Sequence, residues 1–499
     1  MNISSVLGIT SIILRLFSVL ILVPCVCAII YKDYSSVVPF VLSSLIAIVI
    51  SYIIKNKKTD EENLNKINRT EVFSVMIIAW VSLCFLGAVP FLYFGLSPID
   101  AIFESVSGIT TTGATILSDF SLYPKTMFFW RSFSQWLGGL GILVLFTVVL
   151  PQFSVAGRQM FFAEVPGAKE NNLTPRIRQT AAVLWSIYLT LTIAEVLVLT
   201  YLKMPLFDAI CTSLSTISGG GFSPQAESLI AYGQVKFIWT VAIFMFFAGF
   251  NFALQYKAFI KGKITSLFRD EEFKLYFIIV ILFTLIIALT LNSHHIYDLQ
   301  QSIREAFFEV LAIITTSGFA SVDYSEWNLR AKLFLFILMF TGASIGSASG
   351  GLKLLRLIIM FKYIKRQISK IHHPNGIYPI KINKRTMSDD AIKQMISFVL
   401  FYYGIFVVTA ILLIFIEQDA ITGVTSAIAT IGNIGPGFGD VIGPMGSYSS
   451  LQVSSKIICI FNMLIGRLEL IPFLALLHPD FWSFRRINTC TKIGKYDKI

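Results

Sequence analysis

Charge is scarce in this chain: 14% of its 499 residues are Asp, Glu, Lys or Arg, where a soluble protein carries about 25%. With 55% hydrophobic residues and a mean hydropathy of +0.74, that scarcity excludes a disordered polymer and a nucleic-acid binder, despite a net charge of +11. Histidine is rarer still, and His294, His295, His372, His373 and His478 fall in loops or at helix ends without forming a metal constellation. The six cysteines show no CxxC or zinc spacing and five lie in apolar stretches, so neither disulfides nor a structural metal is expected. The apolar stretches contain no HxxE and no aspartate pair, which argues against a membrane enzyme. Neither a Walker A sequence nor a GxGxxG following a strand occurs, so the chain itself is expected to bind no nucleotide and no other cofactor.

What the chain does have is long apolar runs. About 20 apolar residues cross a bilayer as a helix, and ten stretches approach or exceed that length: 6–31, 37–54, 72–95, 127–153, 181–202, 235–260, 273–292, 333–361, 395–416 and 456–478. The first is too long for a signal-peptide core and no small-residue cleavage site follows it, so it reads as a retained anchor. Of the forty Lys and Arg, 29 fall in segments 55–70, 157–178, 256–274, 353–393 and 485–499, against six (Lys125, Lys203, Lys236, Arg304, Arg330 and Lys332) in the intervening loops. Basic loops stay in the cytoplasm, so both termini are expected there, and most of the net charge is an insertion signal.

Four short, weakly apolar segments recur on the outward side, each ending in glycine: DAIFESVSGITTTGA, DAICTSLSTISGGGF, EAFFEVLAIITTSGF and TGVTSAIATIGNIGP. Their glycines Gly113, Gly221, Gly318 and Gly435 are 108, 97 and 117 residues apart, so the chain holds four copies of a unit about a hundred residues long. Thirteen residues before each glycine stand Asp100, Asp208, Glu305 and Thr422, read as N-caps of short re-entrant helices. Small residues at Ala101, Ala209, Ala306 and Gly423, and at Ser107, Ser215, Ala312 and Ala429, allow those helices to pack closely. The expected fold is an all-α integral membrane protein, with an anchor of two helices at 1–70 and membrane–pore–membrane repeats at 71–176, 177–271, 272–392 and 393–499. Irregular backbone at membrane depth survives only where protein or a water-filled cavity surrounds it. Four such loops therefore imply one central, pseudo-fourfold pore.

An extended Thr-Thr-Gly loop aligns backbone carbonyls that can replace the hydration shell of a monovalent cation. Glycine permits the close approach, and re-entrant helices aim partly negative C-termini at the centre. The candidate ring is Thr111, Thr112 and Gly113; Gly220 and Gly221; Thr316, Ser317 and Gly318; and Asn433, Ile434 and Gly435. Any one loop alone reads more readily as a glycine-rich turn between helices; four in register set them apart. Glu104 and Glu309, nine residues before their glycines, suit either attraction of cations to the mouth or packing and capping. Glu195 is a lone acid within a stretch, without an evident relay partner.

TTTGA at 110–114, GGF at 220–222, TTSGF at 315–319 and NIGPG at 433–437 resemble the K⁺ transporter superfamily of Trk, Ktr and plant HKT proteins, in particular its bacterial TrkH-type membrane subunits. The similarity spans the whole chain. It implies four repeats around a K⁺ filter, with K⁺ the transported ion bound only at the filter residues, and a bacterial inner membrane location. Gly113 occupies the position where glycine goes with K⁺ selectivity and serine with Na⁺ permeability. The glycine-rich second loop, Ser218–Gly221, is expected to be looser than the others. In the fourth loop NIGPG favours Gly435, with Gly432 the alternative.

Two further features carry the resemblance. The run from Gly342 to Gly351, including Gly346 and Gly350 and followed by Lys353, has poor helix propensity. The resemblance makes it an intramembrane loop gating the cytoplasmic vestibule; the alternative is a close helix-packing surface. Arg467, deep in the last stretch, is expected to face the pore as a barrier to cations, the alternative being an ion pair, for example with Glu469. The resemblance also implies a homodimer seated on a ring of cytosolic regulatory subunits sensing ATP, ADP or NAD(H). The basic loop 353–393 would serve as docking surface, as anionic-lipid contact, or both.

Overall fold

Capping side chains, prolines and the small-residue run decide where the apolar stretches become helix. The computed structural model describes residues 3–54, 69–148 and 173–468. The helices run in order α1 (Ile3–Leu20), α2 (Val23–Ile30), α3 (Val37–Ile54), α4 (Arg69–Tyr93), α5 (Pro98–Ile109), α6 (Lys125–Val148), α7 (Leu173–Tyr201), α8 (Leu206–Ser218) and α9 (Val235–Gly249). They continue with α10 (Phe252–Gln255), α11 (Glu271–Ser293), α12 (Leu299–Ile314), α13 (Leu329–Met339), α14 (Leu354–His372), α15 (Asp389–Glu417), α16 (Ala420–Ile431) and α17 (Val453–Leu468). A two-residue antiparallel pair, Lys381–Ile382 with Arg385–Thr386, is the one strand pairing among the described residues.

After α1–α3 the succession long helix, short buried helix, loop, helix occurs four times, with α5, α8, α12 and α16 as the short helices. These are buried over most of their length, while the long helices turn Leu, Val, Ile and Phe outward, as Leu400, Val407, Ile411 and Phe415 do on α15. A protein whose large apolar side chains face out at helical spacing is built for lipid. Among the described residues six helical spans are long and apolar enough to cross a membrane, or seven if the bent pair at 235–260 is counted as one span.

Three of the apolar stretches are not single helices, the last of them as its small-residue run leads one to expect. The stretch 6–31 breaks between α1 and α2, where Pro24 removes a backbone donor. The stretch 235–260 bends by 101° after Gly249. Asn251 caps the second piece by accepting from Leu254 N, and the carbonyls of Ala248 and Gly249 accept from Ala348 N and Ser344 N instead of continuing the helix. The stretch 333–361 is helical only to Met339 and again from Leu354, with the small-residue run between as open chain. Two others, 127–153 and 456–478, continue beyond the described residues, as do the basic segments 55–70, 157–178 and 485–499 in whole or part.

The N-caps also differ from expectation. Asp100, Asp208 and Thr422 sit three residues inside their helices; the caps are Ser97, Pro205 and Asp419. Ser97 accepts from Asp100 N and donates to the Asp100 carboxylate, a reciprocal arrangement that satisfies the helix start. The third short helix begins almost two turns before Glu305, capped by Asp298. An acid in the first turn is favoured by the helix dipole as much as at the cap, so residue type alone did not separate the two positions.

Candidate functional site: the junction of four loops

All four short helices end in one way. The residue two before the key glycine takes a left-handed φ: Thr111 at 55°, Gly219 at 69°, Thr316 at 57° and Asn433 at 53°. Its N–H bonds three residues back, and the next N–H reaches five residues back: Thr112 to Ser107, Gly220 to Ser215, Ser317 to Ala312 and Ile434 to Ala429, all at 2.8–2.9 Å. This is a Schellman cap repeated four times, and the small residues six before each glycine are the acceptors. Gly219 belongs to the set as the counterpart of Thr111, a role not read from the sequence.

The key glycines then return to positive φ, at 84° for Gly113, 71° for Gly221, 65° for Gly318 and 100° for Gly435. Each abuts the next loop. A Cβ on Gly113 would lie 2.2 Å from the Gly220 carbonyl oxygen, on Gly221 1.7 Å from that of Ser317, on Gly318 2.0 Å from that of Ile434, and on Gly435 2.6 Å from that of Thr112. The contacts close a ring, and any side chain at these glycines would break it. Gly435 rather than Gly432 completes the circle, since Gly432 caps α16 with φ −76°.

Behind the ring, Glu104 and Glu309 perform one task. Each accepts from the amide three residues after its glycine, Ile116 N at 3.0 Å and Ser321 N at 2.8 Å. Glu104 also pairs with buried Arg131 at 2.7 Å, whose guanidinium reaches Ser223 O and Thr115 Oγ1. In the fourth repeat Thr425 Oγ1 accepts from Phe438 N. The second repeat has Pro224 at that place, which has no N–H to offer, and Thr212 where the glutamates stand. Its loop is held instead by Gln135, which donates to Gly220 O at 2.6 Å and accepts from Phe222 N at 3.0 Å. The glycine-rich loop is therefore tied from outside, by a side chain of α6.

The run 342–353 lies against the junction where the short helices end. Gly350 N donates to Thr316 Oγ1 at 2.7 Å, Ser349 packs against Gly219, and a Cβ on Gly350 would stand 3.0 Å from Gly432 O. Glu272 accepts from Ile345 N and Leu355 N, spanning the run. Gly342 N donates to Leu352 O, Gly346 O accepts from Phe252 N, and a Cβ on Gly351 would come within 3.2 Å of Gly432 O. Lys353 Nζ turns back onto Ser349 O and Oγ. Arg467, fully buried, donates to Ala348 O at 3.0 Å and reaches Gly138 O at 3.5 Å. Its partners are backbone carbonyls; the alternative partner Glu469 lies outside the described residues. Glu195 is buried beside Thr216, but neither carboxylate oxygen meets hydrogen-bond geometry there.

The sequence profile of the TrkH family, described as a cation transport protein, matches residues 38–481. The chain is 34% identical over 487 residues to the Trk system potassium uptake protein TrkH of Salmonella typhimurium, covering 97% of this chain and 100% of that one. It is also 34% identical over 476 residues to the Trk system potassium uptake protein TrkG of Escherichia coli K12, covering 94% and 96%. The crystal structure of the potassium transporter TrkH from Vibrio parahaemolyticus superposes with a TM-score of 0.87 at 32% identity, over 97% of this chain and 100% of that one. Fold and relatives agree over nearly the whole length, and the chain belongs to the TrkH family of cation transport proteins, a family of transporters rather than enzymes.

Proposed function

We propose that this protein is the pore-forming subunit of a K⁺ uptake system, passing K⁺ inward through backbone carbonyls at Thr111–Gly113, Gly220–Gly221, Thr316–Gly318 and Asn433–Gly435. The observation that carries this is the closed ring in which each glycine meets the neighbouring loop's carbonyl. Left-handed φ at alternate positions of each loop is the backbone geometry that turns successive carbonyls to one side. The run from Gly342 to Lys353 is the gate, closing the inner side of the ring, and Arg467 latches it through Ala348 O while adding a fixed positive charge to the cation's path.

The finer assignments belong to this reading: repeats bounded at 71, 177, 272 and 393, both termini cytoplasmic in a bacterial inner membrane, a homodimer, and a cytosolic nucleotide-sensing ring docking near 353–393. Their support is the family relationship and the asymmetry of Lys and Arg. The test is the reversal potential of the full-length protein in liposomes with K⁺ on one side and Na⁺ on the other, repeated across a pH gradient. The expected potential follows the K⁺ gradient alone. A potential that moved with the pH or Na⁺ gradient at fixed K⁺ would replace the passive pore with a coupled symporter, and buried Glu195 would be the first residue to exchange for Gln.

A further inference from the structure

We propose that Gln135 is a positioning residue that sets ion discrimination at the second loop, an inference that rests on reading the four loops as a filter. The other three loops carry a side chain just before the key glycine: Thr112, Ser317 and Ile434. Thr112 Oγ1 is fixed by Thr110 and by Asn433 Nδ2, and Ser317 Oγ by Met245 Sδ. The second loop, Gly219-Gly220-Gly221, has no side chain of its own with which to hold register beyond its cap, and three glycines in a row leave the backbone free to leave the carbonyl geometry.

The missing side chain is supplied by another repeat. A Cβ built on Gly220 would fall 2.4 Å from the Gln135 carboxamide carbon, so the amide of α6 occupies the volume that loop side chains fill elsewhere. Its two bonds, to Gly220 O and from Phe222 N, straddle Gly221 and fix the peptides on both sides of it. Gly220 O is also the atom that Gly113 abuts. One carboxamide therefore holds both the second loop and its seam with the first, and the spacing of carbonyls presented to a dehydrated monovalent cation depends on it.

Gln135→Glu in the full-length protein, read by K⁺/Na⁺ bi-ionic potentials in liposomes over a range of pH, tests this. A protonated carboxyl keeps both bonds; an ionised one cannot donate to Gly220 O and sets a negative oxygen against it. The titratable and charged groups about this stretch include Asp100 and Glu104 on α5, Arg131 on α6 itself, Tyr188 and Glu195 on α7, Asp208 and Cys211 on α8, and Arg467 on α17. The variant should match the parent's K⁺ preference at acid pH and lose about tenfold of it at alkaline pH, the scale of one to two hydrogen bonds. The parent's ratio should stay flat, and Gln135→Leu should be poor at every pH. A Glu variant that keeps the parent's ratio throughout overturns the proposal. A parent that itself fails to distinguish K⁺ from Na⁺ removes instead the filter reading beneath it.

Discussion

A β-branched residue at positive φ is strained by roughly 1–3 kcal/mol, yet Thr111 and Thr316 both adopt it. In the third repeat the strained residue puts its hydroxyl to use, since Thr316 Oγ1 takes the Gly350 N–H. These left-handed positions were hidden in the sequence because Thr, Thr and Asn stand at three of the four; only the glycine marked positive φ by residue type. The key glycines were legible for the opposite reason, that absence of a side chain at a fixed interval is itself a pattern. Gly113→Ser is expected to lower the K⁺/Na⁺ permeability ratio at least tenfold, because its Cβ would lie 2.2 Å from Gly220 O and the seam must open. Bi-ionic potentials of the reconstituted variant measure this, and an unchanged ratio would take Gly113 out of the filter.

Among the elements, the small-residue run shows how far composition reads. Poor helix propensity announced a break, and the break is there, from Phe340 to Lys353. What composition did not show is that this loop also ends α9, by supplying Ser344 N and Ala348 N to the carbonyls of Gly249 and Ala248. Backbone donors carry no residue signature, and so 235–260 read as one helix. Arg467 was conspicuous as a charge at depth, whereas its partner, the carbonyl of Ala348, could belong to any residue. A hydrogen bond from a charged group contributes about 1.5–3 kcal/mol, enough to bias a two-state loop tenfold or more. Arg467→Ala should therefore raise basal K⁺ flux about tenfold in liposomes, and equal or lower flux from a normally folded variant would exclude the latch. Deleting 345–349 should leak still more; a deletion variant that folds and stays tightly closed would refute the loop as a gate.

At the scale of the whole molecule, periodicity made the fold legible: an N-terminal helical anchor, then four units. Helix starts were legible only to within two turns, since acids at the cap and in the first turn serve the same dipole. Gln135 was not legible at all: a single Gln in a helix has no period, and its bonds cross from one repeat to the next. The orientation has a direct check. Leu122 (72% exposed) lies beyond the first loop and Ile377 (93% exposed) in the basic loop. Single cysteines there, in a cysteine-free background, should react with a membrane-impermeant maleimide only from outside and only from inside, respectively. Reversal of that pattern would invert the assigned topology.

The ring is fourfold in its caps and glycines, yet Gln135 braces one seam and a loop from the third repeat covers the junction. A pore assembled from four identical chains repeats every mutation four times. Here one codon alters one quadrant. In the filter proposed above, a substitution in one loop therefore shifts ion preference without touching the other three, and a substitution in the covering loop shifts closure separately.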